Sequence, residues 1–361
     1  MSDGLRFELR LALFMALLVG LFYAGVELFA AAHGYSNAVT LGFSNPLLLA
    51  VWGATFAVLA AVYLFNLFFV RRAARPFATI ASDLKSLADP KTLIARATIL
   101  FSWYFIMLIF SPFKALIGQV KGFPFDRPIA HFEKTLLGGH DAWTITHAVF
   151  NFPEAAFLMQ CCDTAWFILM WLCVIYWIVA PHNSTLRARF AISFALCWIL
   201  IGAVAAYFLA SAGPCFYYRA FGSLHFRPLM DQLRNADAHL SAIAPIFHIQ
   251  SLDIQDWLWR SHVNGRGTFG GGISAMPSLH VAIATLMACT SFHFGRRSGW
   301  IMTGFAIMIW IASVHLGWHY ASDGVVAAAM TVTIWKASAY LVRLLTPAAQ
   351  TDERATSPAL A

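Results

Sequence analysis

His280, His319 and Asp323 are the residues of this chain whose types and spacing carry chemistry. His280 closes the run Gly270-Gly271-Gly272-Ile273-Ser274-Ala275-Met276-Pro277-Ser278-Leu279-His280. His319 and Asp323 lie in His315-Leu316-Gly317-Trp318-His319-Tyr320-Ala321-Ser322-Asp323. Both stretches border strongly apolar segments, where an ionisable group is costly unless it pairs or acts, so the cluster reads as a functional site. The i, i+4 spacing of His319 and Asp323 sets imidazole and carboxylate on one helical face, and the carboxylate then accepts the Nδ1–H and leaves Nε2 free. A nucleophilic or general-base histidine needs that arrangement. Alone, the pair also reads as a structural His–Asp contact, and His280 as an interfacial histidine at a helix end.

The surroundings suggest what the site binds. Pro277 fits the first turn of a helix and the glycines before it allow close backbone approach, so the free N–H groups of Ser278 and Leu279 are expected to form an anion site beside His280. Ser211-Ala212-Gly213-Pro214-Cys215-Phe216-Tyr217-Tyr218-Arg219 supplies Tyr218 and Arg219, which read either as an aromatic-belt anchor or as a fork for phosphate oxygens. Arg227 and Arg266 are further candidates for that role. His315, His319 and Asp323 would align as metal ligands on one continuous helix. Two spans must fit between Gly299 and Leu345, however, so the chain has to reverse, and Gly317 is the natural break. The expectation is therefore no metal and no cofactor, and phosphoryl transfer at a membrane surface.

The elements that must hold these residues follow from composition. A chain of 361 residues with 60% hydrophobic and 11% charged residues has too much apolar surface for a soluble core. Each membrane crossing needs about 20 mostly apolar residues. Suitable windows fall near 11–31, 47–70, 97–113, 157–180, 190–210, 278–295, 299–316 and 322–345, which predicts an all-α, multi-pass transmembrane helical bundle of about eight spans. The first window exceeds a signal-peptide core and reads as a retained helix.

Threading those spans puts Arg6, Arg10, Arg71, Arg72, Arg75, Lys85, Lys91, Arg96, Arg187, Arg189, Arg296, Arg297 and Arg343 on one side, expected to be cytoplasmic. Two longer segments near 114–156 and 211–277 fall on the other side and carry Lys114, Lys121, Arg127 and Lys134 among their basic residues. Long loops weigh little in that rule, and cations beside a phosphate site have a separate reason to be there. The net charge of +7 points to anionic lipid, and no basic nucleic-acid module is present. Five of the six cysteines lie in or beside apolar spans; Cys215 alone has an outer position from which to bridge Cys161 or Cys162. The tail from Pro347 is expected to be disordered.

Met276-Pro277-Ser278-Leu279-His280 and His319-Tyr320-Ala321-Ser322-Asp323 resemble two signature motifs of the type 2 phosphatidic acid phosphatase superfamily. The closer likeness is to its inositol phosphorylceramide synthase branch, where PSLH-type and HYxxD-type motifs recur. The segment from Gly213 to Arg219 resembles the element preceding them, and Leu137-Gly138-Gly139-His140-Asp141-Ala142-Trp143 resembles an upstream segment more weakly. Two parts of the wider superfamily pattern are absent: Ser313 is followed by Val314 instead of arginine, and no lysine is separated by six residues from an Arg-Pro pair, since only five lie between Lys121 and Arg127-Pro128.

The resemblance covers roughly 97–345, which implies a six-helix catalytic core there, two additional N-terminal helices and a cytoplasmic loop within 1–96, and a tail over 346–361. It further implies that His319 attacks phosphorus, Asp323 orients it and His280 protonates the leaving oxygen. The expected substrate is a lipid phosphate or a phospholipid headgroup. The expected setting is a bacterial inner membrane with the site facing the periplasm, or the lumenal face in a eukaryote. Two other readings remain at this level: a non-enzymatic transporter or assembly factor, and a metal-dependent hydrolase using His315, His319 and Asp323.

Overall fold

The computed structural model describes residues 2–35, 46–87, 89–179, 184–265 and 270–346. Arg266 and the tail from 347 lie outside the described residues, as does 36–45. Every regular element among the described residues is a helix, as expected of an all-α membrane bundle. In chain order these are α1 (Asp3–Ala32), α2 (Pro46–Phe65), α3 (Pro76–Leu87), α4 (Pro90–Lys121), α5 (Asp126–Leu136), α6 (Ala142–Val149) and α7 (Glu154–Val179). There follow α8 (Ser184–Phe208), α9 (Tyr217–Phe221), α10 (Arg227–Ile243), α11 (Gln250–Val263), α12 (Leu279–Ser291), α13 (Arg296–His315) and α14 (Ala321–Leu345).

Six of these, α1, α4, α7, α8, α13 and α14, are long and apolar enough to cross a membrane, while Phe56–Val70 and α12 are shorter apolar helices. The chain is a multi-pass membrane protein. Helix α12 has 13 residues and so measures about 20 Å, less than the roughly 30 Å hydrocarbon core. It is packed between α13 and α14, with Val281, Ala282, Ile283, Ala284, Leu286 and Met287 all buried. Lipid supplies no hydrophobic drive between helices, so small residues that permit close approach hold such a bundle. Gly202 of α8 shows the tightness, since a Cβ there would meet the Phe110 ring at 2.8 Å.

Helix α1 packs along α4, and its fully buried Glu8 pairs with Arg187 of α8. The sequence-based boundary of the third span at 113 is too early, because α4 runs through Pro112 to Lys121. A proline inside a membrane helix is tolerated when neighbouring groups re-satisfy the backbone. The segments expected as long outer connections fold into α5, α6, α9, α10 and α11, a helical cap over one end of the bundle. The cap has its own core around Phe226, Leu229, Leu233, Leu240, Ile249 and Tyr320. Its seams are polar: Gln255 Nε2 donates to the Leu316 carbonyl at 3.0 Å, and the Ser251 N–H donates to Gln160 of α7 at 2.8 Å. All six cysteines are free and Cys215 is buried, so the bridge to Cys161 or Cys162 is not formed.

Candidate active site

Three backbone segments meet where the cap joins the bundle: the end of α8 at 211–217, the approach to α12 at 273–280, and the turn between α13 and α14. The Ala275 N–H donates to the Ser211 carbonyl at 2.8 Å and the Met276 N–H to the Ser211 hydroxyl at 2.9 Å. The Cys215 N–H donates to the Gly317 carbonyl at 2.9 Å. Gly317, with φ of 75°, reverses the chain after His315 as its sequence position predicts. Gly213, with φ of 97°, lies so close that a Cβ would meet the Trp318 carbonyl oxygen at 2.4 Å, which only glycine permits.

His319 sits in the turn before α14, not on its helical face. The pair with Asp323 still forms, through helix-start geometry: Asp323 Oδ2 lies 3.1 Å from His319 Nδ1 and accepts the Tyr320 N–H at 3.0 Å. With Nδ1–H donated to the carboxylate, Nε2 is the nitrogen that keeps a lone pair. Burial, with the Lys114 ammonium nearby, pushes the His319 imidazole down to about 3 against a weaker opposing contact with the Ala275 carbonyl. The ring is therefore neutral near pH 7, as a nucleophile requires.

His280 lies in the first turn of α12. Its Nε2 is 4.0 Å from Asp163 Oδ1 of α7, and its ring lies 4.1 Å from that of Trp166. Trp166 Nε1 donates to the His280 carbonyl at 2.9 Å, which fixes α7 against the start of α12. The His280 side chain is 31% exposed. His280 and His319 are within electrostatic range of each other, and Lys114 of α4 is within range of both. Among the described residues, Lys114 has no carboxylate partner.

The expected anion site is altered. Helix α12 begins at Leu279 with Ser278 as its N-cap, and the Ser278 hydroxyl accepts the Val281 N–H at 3.4 Å. Pro277 therefore precedes the helix instead of opening it. The Ser278 N–H is already spent on the Asp323 carbonyl at 3.2 Å, so only first-turn groups of α12 beyond it remain for an anion. Two of the three arginines reasoned from sequence form ion pairs within the cap: Arg219 pairs with Asp256 of α11, and exposed Arg227 pairs with Asp231 at 3.4 Å. Tyr218 is 57% exposed and faces outward. His315 stacks on His147 of α6 with ring centroids 3.9 Å apart, and its carbonyl accepts from His147 Nε2 at 3.0 Å. Among the described residues, no three His, Cys, Asp or Glu side chains gather as a metal-ligand set.

A narrow cleft reaches His319 from the cap, lined by Glu133, Asp141, Trp143, Phe226 and Tyr320 among others. The family model described as the PAP2 superfamily matches residues 127–337, more than half of the chain. The chain belongs to the PAP2 superfamily. No curated protein and no solved structure matches it. Membership in the PAP2 superfamily supports a phosphatase-type activity. The matched range holds His280, His319 and Asp323, whereas Lys114 comes from α4, ahead of it. In the sequence Lys114 is one of several basic residues of the segment after the third span, whereas the structure places it inside α4, two residues after Pro112.

Proposed function

We propose that this protein is an integral-membrane phosphatase or phosphotransferase that acts on a lipid phosphate or phospholipid headgroup through a phosphohistidine on His319. One observation carries the reading: Asp323 holds Nδ1 of a neutral, buried His319 and leaves Nε2 to attack. As the Nε2–phosphorus bond forms, the bond from phosphorus to the leaving oxygen breaks, and His280, which takes up a proton when the anionic substrate binds beside it, passes that proton to the oxygen. In the second step an acceptor hydroxyl gives its proton to His280 and attacks phosphorus, which frees His319. Lys114 and the first turn of α12 face the charge that builds on the phosphoryl oxygens. Asp163 is suited to orient His280 in both steps.

Water as acceptor gives a phosphatase, and a lipid hydroxyl gives a headgroup transferase. The PSLH and HYxxD motifs favour the inositol phosphorylceramide synthase-like branch, hence transfer. The distribution of basic residues favours a site on the non-cytoplasmic face, the periplasmic one if the membrane is a bacterial inner membrane. Purified protein assayed with phosphatidic acid and with phospholipid donors, in excess chelator and with orthovanadate, tests the reading. Turnover that survives chelation and is blocked by vanadate is expected. Loss on chelation restored by zinc or manganese would overturn it in favour of a metal-dependent hydrolase.

A further inference from the structure

The first residue of α5, Asp126, is wholly buried, and its carboxylate collects three donors. Oδ2 accepts the Ala212 N–H at 2.7 Å; Oδ1 accepts the Gly213 N–H at 2.8 Å and the Tyr320 hydroxyl at 2.8 Å. Those donors belong to two of the three segments that build the site. Tyr320 directly follows His319, and its own N–H donates to the Asp323 oxygen that holds His319. Two turns further along α5, Glu133 accepts the Ser322 N–H, so the helix grips the histidine turn on both sides.

We propose that Asp126 is a positioning residue for His319: through Tyr320 it fixes the turn carrying the histidine against the glycine turn at the end of α8. The reason for a carboxylate is stoichiometric. Three donors converge on two oxygens, and neither oxygen has a hydrogen to offer. An asparagine has one acceptor oxygen, and its NH2 would face an N–H or O–H, leaving a buried donor unmet. The proposal rests on His319 being the attacking group, and attack geometry is sensitive to sub-ångström placement.

The test compares full-length wild type, Tyr320→Phe, Asp126→Asn and the double variant, each with 15N-labelled histidine, by imidazole NMR and by kcat and KM. Tyr320→Phe removes only the hydroxyl arm and leaves the buried carboxylate with its two backbone bonds, so it serves even if Asp126→Asn fails to fold. In Tyr320→Phe the His319 Nδ1–H signal should shift or broaden and kcat fall about tenfold, with KM within about twofold. In Asp126→Asn the loss should approach about a hundredfold, and the double variant should be no worse, since both act on one link. A purely structural role would lower thermal stability while kcat per folded molecule and the ring signal stayed at wild-type values, and that result would overturn the proposal. If the wild type shows no turnover but the ring signal moves in the variants, the positioning role stands and the phosphoryl-transfer reading fails.

Discussion

At the scale of single residues, the two histidines should separate by the substrates they need. His319→Ala should abolish turnover on every substrate. His280→Ala should slow an alkyl phosphate far more than a nitrophenyl phosphate, because the better leaving group needs no proton. Equal loss on both substrates would reverse the assignment. Asp323→Asn should lower kcat on the order of 10²–10⁴-fold, as for other oriented histidines. The pH profile carries a further expectation. With the His319 ring pushed down to about 3, the acid limb of kcat/KM owing to the nucleophile should lie well below the ordinary histidine range near 6.5. The same depression means that the unfolded chain binds more protons than the folded one between about 3 and 6.5, so stability should fall as pH drops through that window. Lys114→Met should raise KM for a phosphate substrate, or lower kcat, by roughly 10- to 100-fold without loss of thermal stability, since it removes a cation that has no carboxylate partner among the described residues. The histidines and Asp323 were legible in the sequence because polar residues stand out against apolar spans. Lys114 was legible only as one of several basic residues after the third span, and its place inside α4 was not, because the continuation of α4 past Pro112 depends on neighbours that satisfy its backbone. The use of the Ser278 N–H by the Asp323 carbonyl was also hidden, as it is a contact across 45 residues of chain.

At the scale of elements, apolar windows located the spans well, and their failures have particular causes. Periodicity cannot show that α12 is held short at Leu279, because the Gly270–Ser278 approach is fixed by bonds to Ser211 and Asp323 that belong to distant segments. The cap helices were read as loops since their apolar faces are only a few residues wide. One cap joint is directly testable. His248 Nδ1 lies 2.9 Å from Asp237 of α10 and Nε2 lies 2.7 Å from Asp253 of α11, so the imidazolium donates to both. The Asp253 hydrogen bond is the main force that raises the His248 pKa, and Asp237 adds to it against partial burial. A raised pKa gives stabilisation that is full below the unfolded value near 6.5 and lost as pH climbs through the folded value. Hydrogen-exchange protection in α11, corrected for intrinsic rate, should therefore fall as pH rises above the ordinary histidine range near 6.5 through the raised folded value, and His248→Gln should remove that dependence. Protection that is flat with pH in the wild type would show that the joint does not govern the cap.

At the scale of the whole molecule, the bundle brings residues from α4, α7, α12 and the α13–α14 turn to one end, under the cap. The exposed Arg296 and Arg297 open α13 at its end away from His315, and the exposed Arg71, Arg72 and Arg75 lie in the connection before α3. Cysteines placed at Ser223 and at Arg297 should then label oppositely with an impermeant reagent in intact cells, the 223 site reacting and the 297 site protected. The reverse pattern would move the chemistry to the cytoplasm. The N-terminal helix α1 is tied to the core by Glu8 and Arg187, a link invisible to sequence reasoning because the partners are 179 residues apart. Arg187→Met should destabilise the bundle by about 3–5 kcal/mol by leaving Glu8 buried and unpaired, and Glu8→Gln with Arg187→Met should recover most of that loss. The most direct test of the account is to stop turnover within the first cycle and map the phosphate by mass spectrometry under alkaline conditions. The account predicts an acid-labile phosphohistidine on the peptide holding His319, absent in His319→Ala and accumulating when the acceptor is withheld. Phosphate on His280, or turnover with no phosphoenzyme at any time, would contradict it.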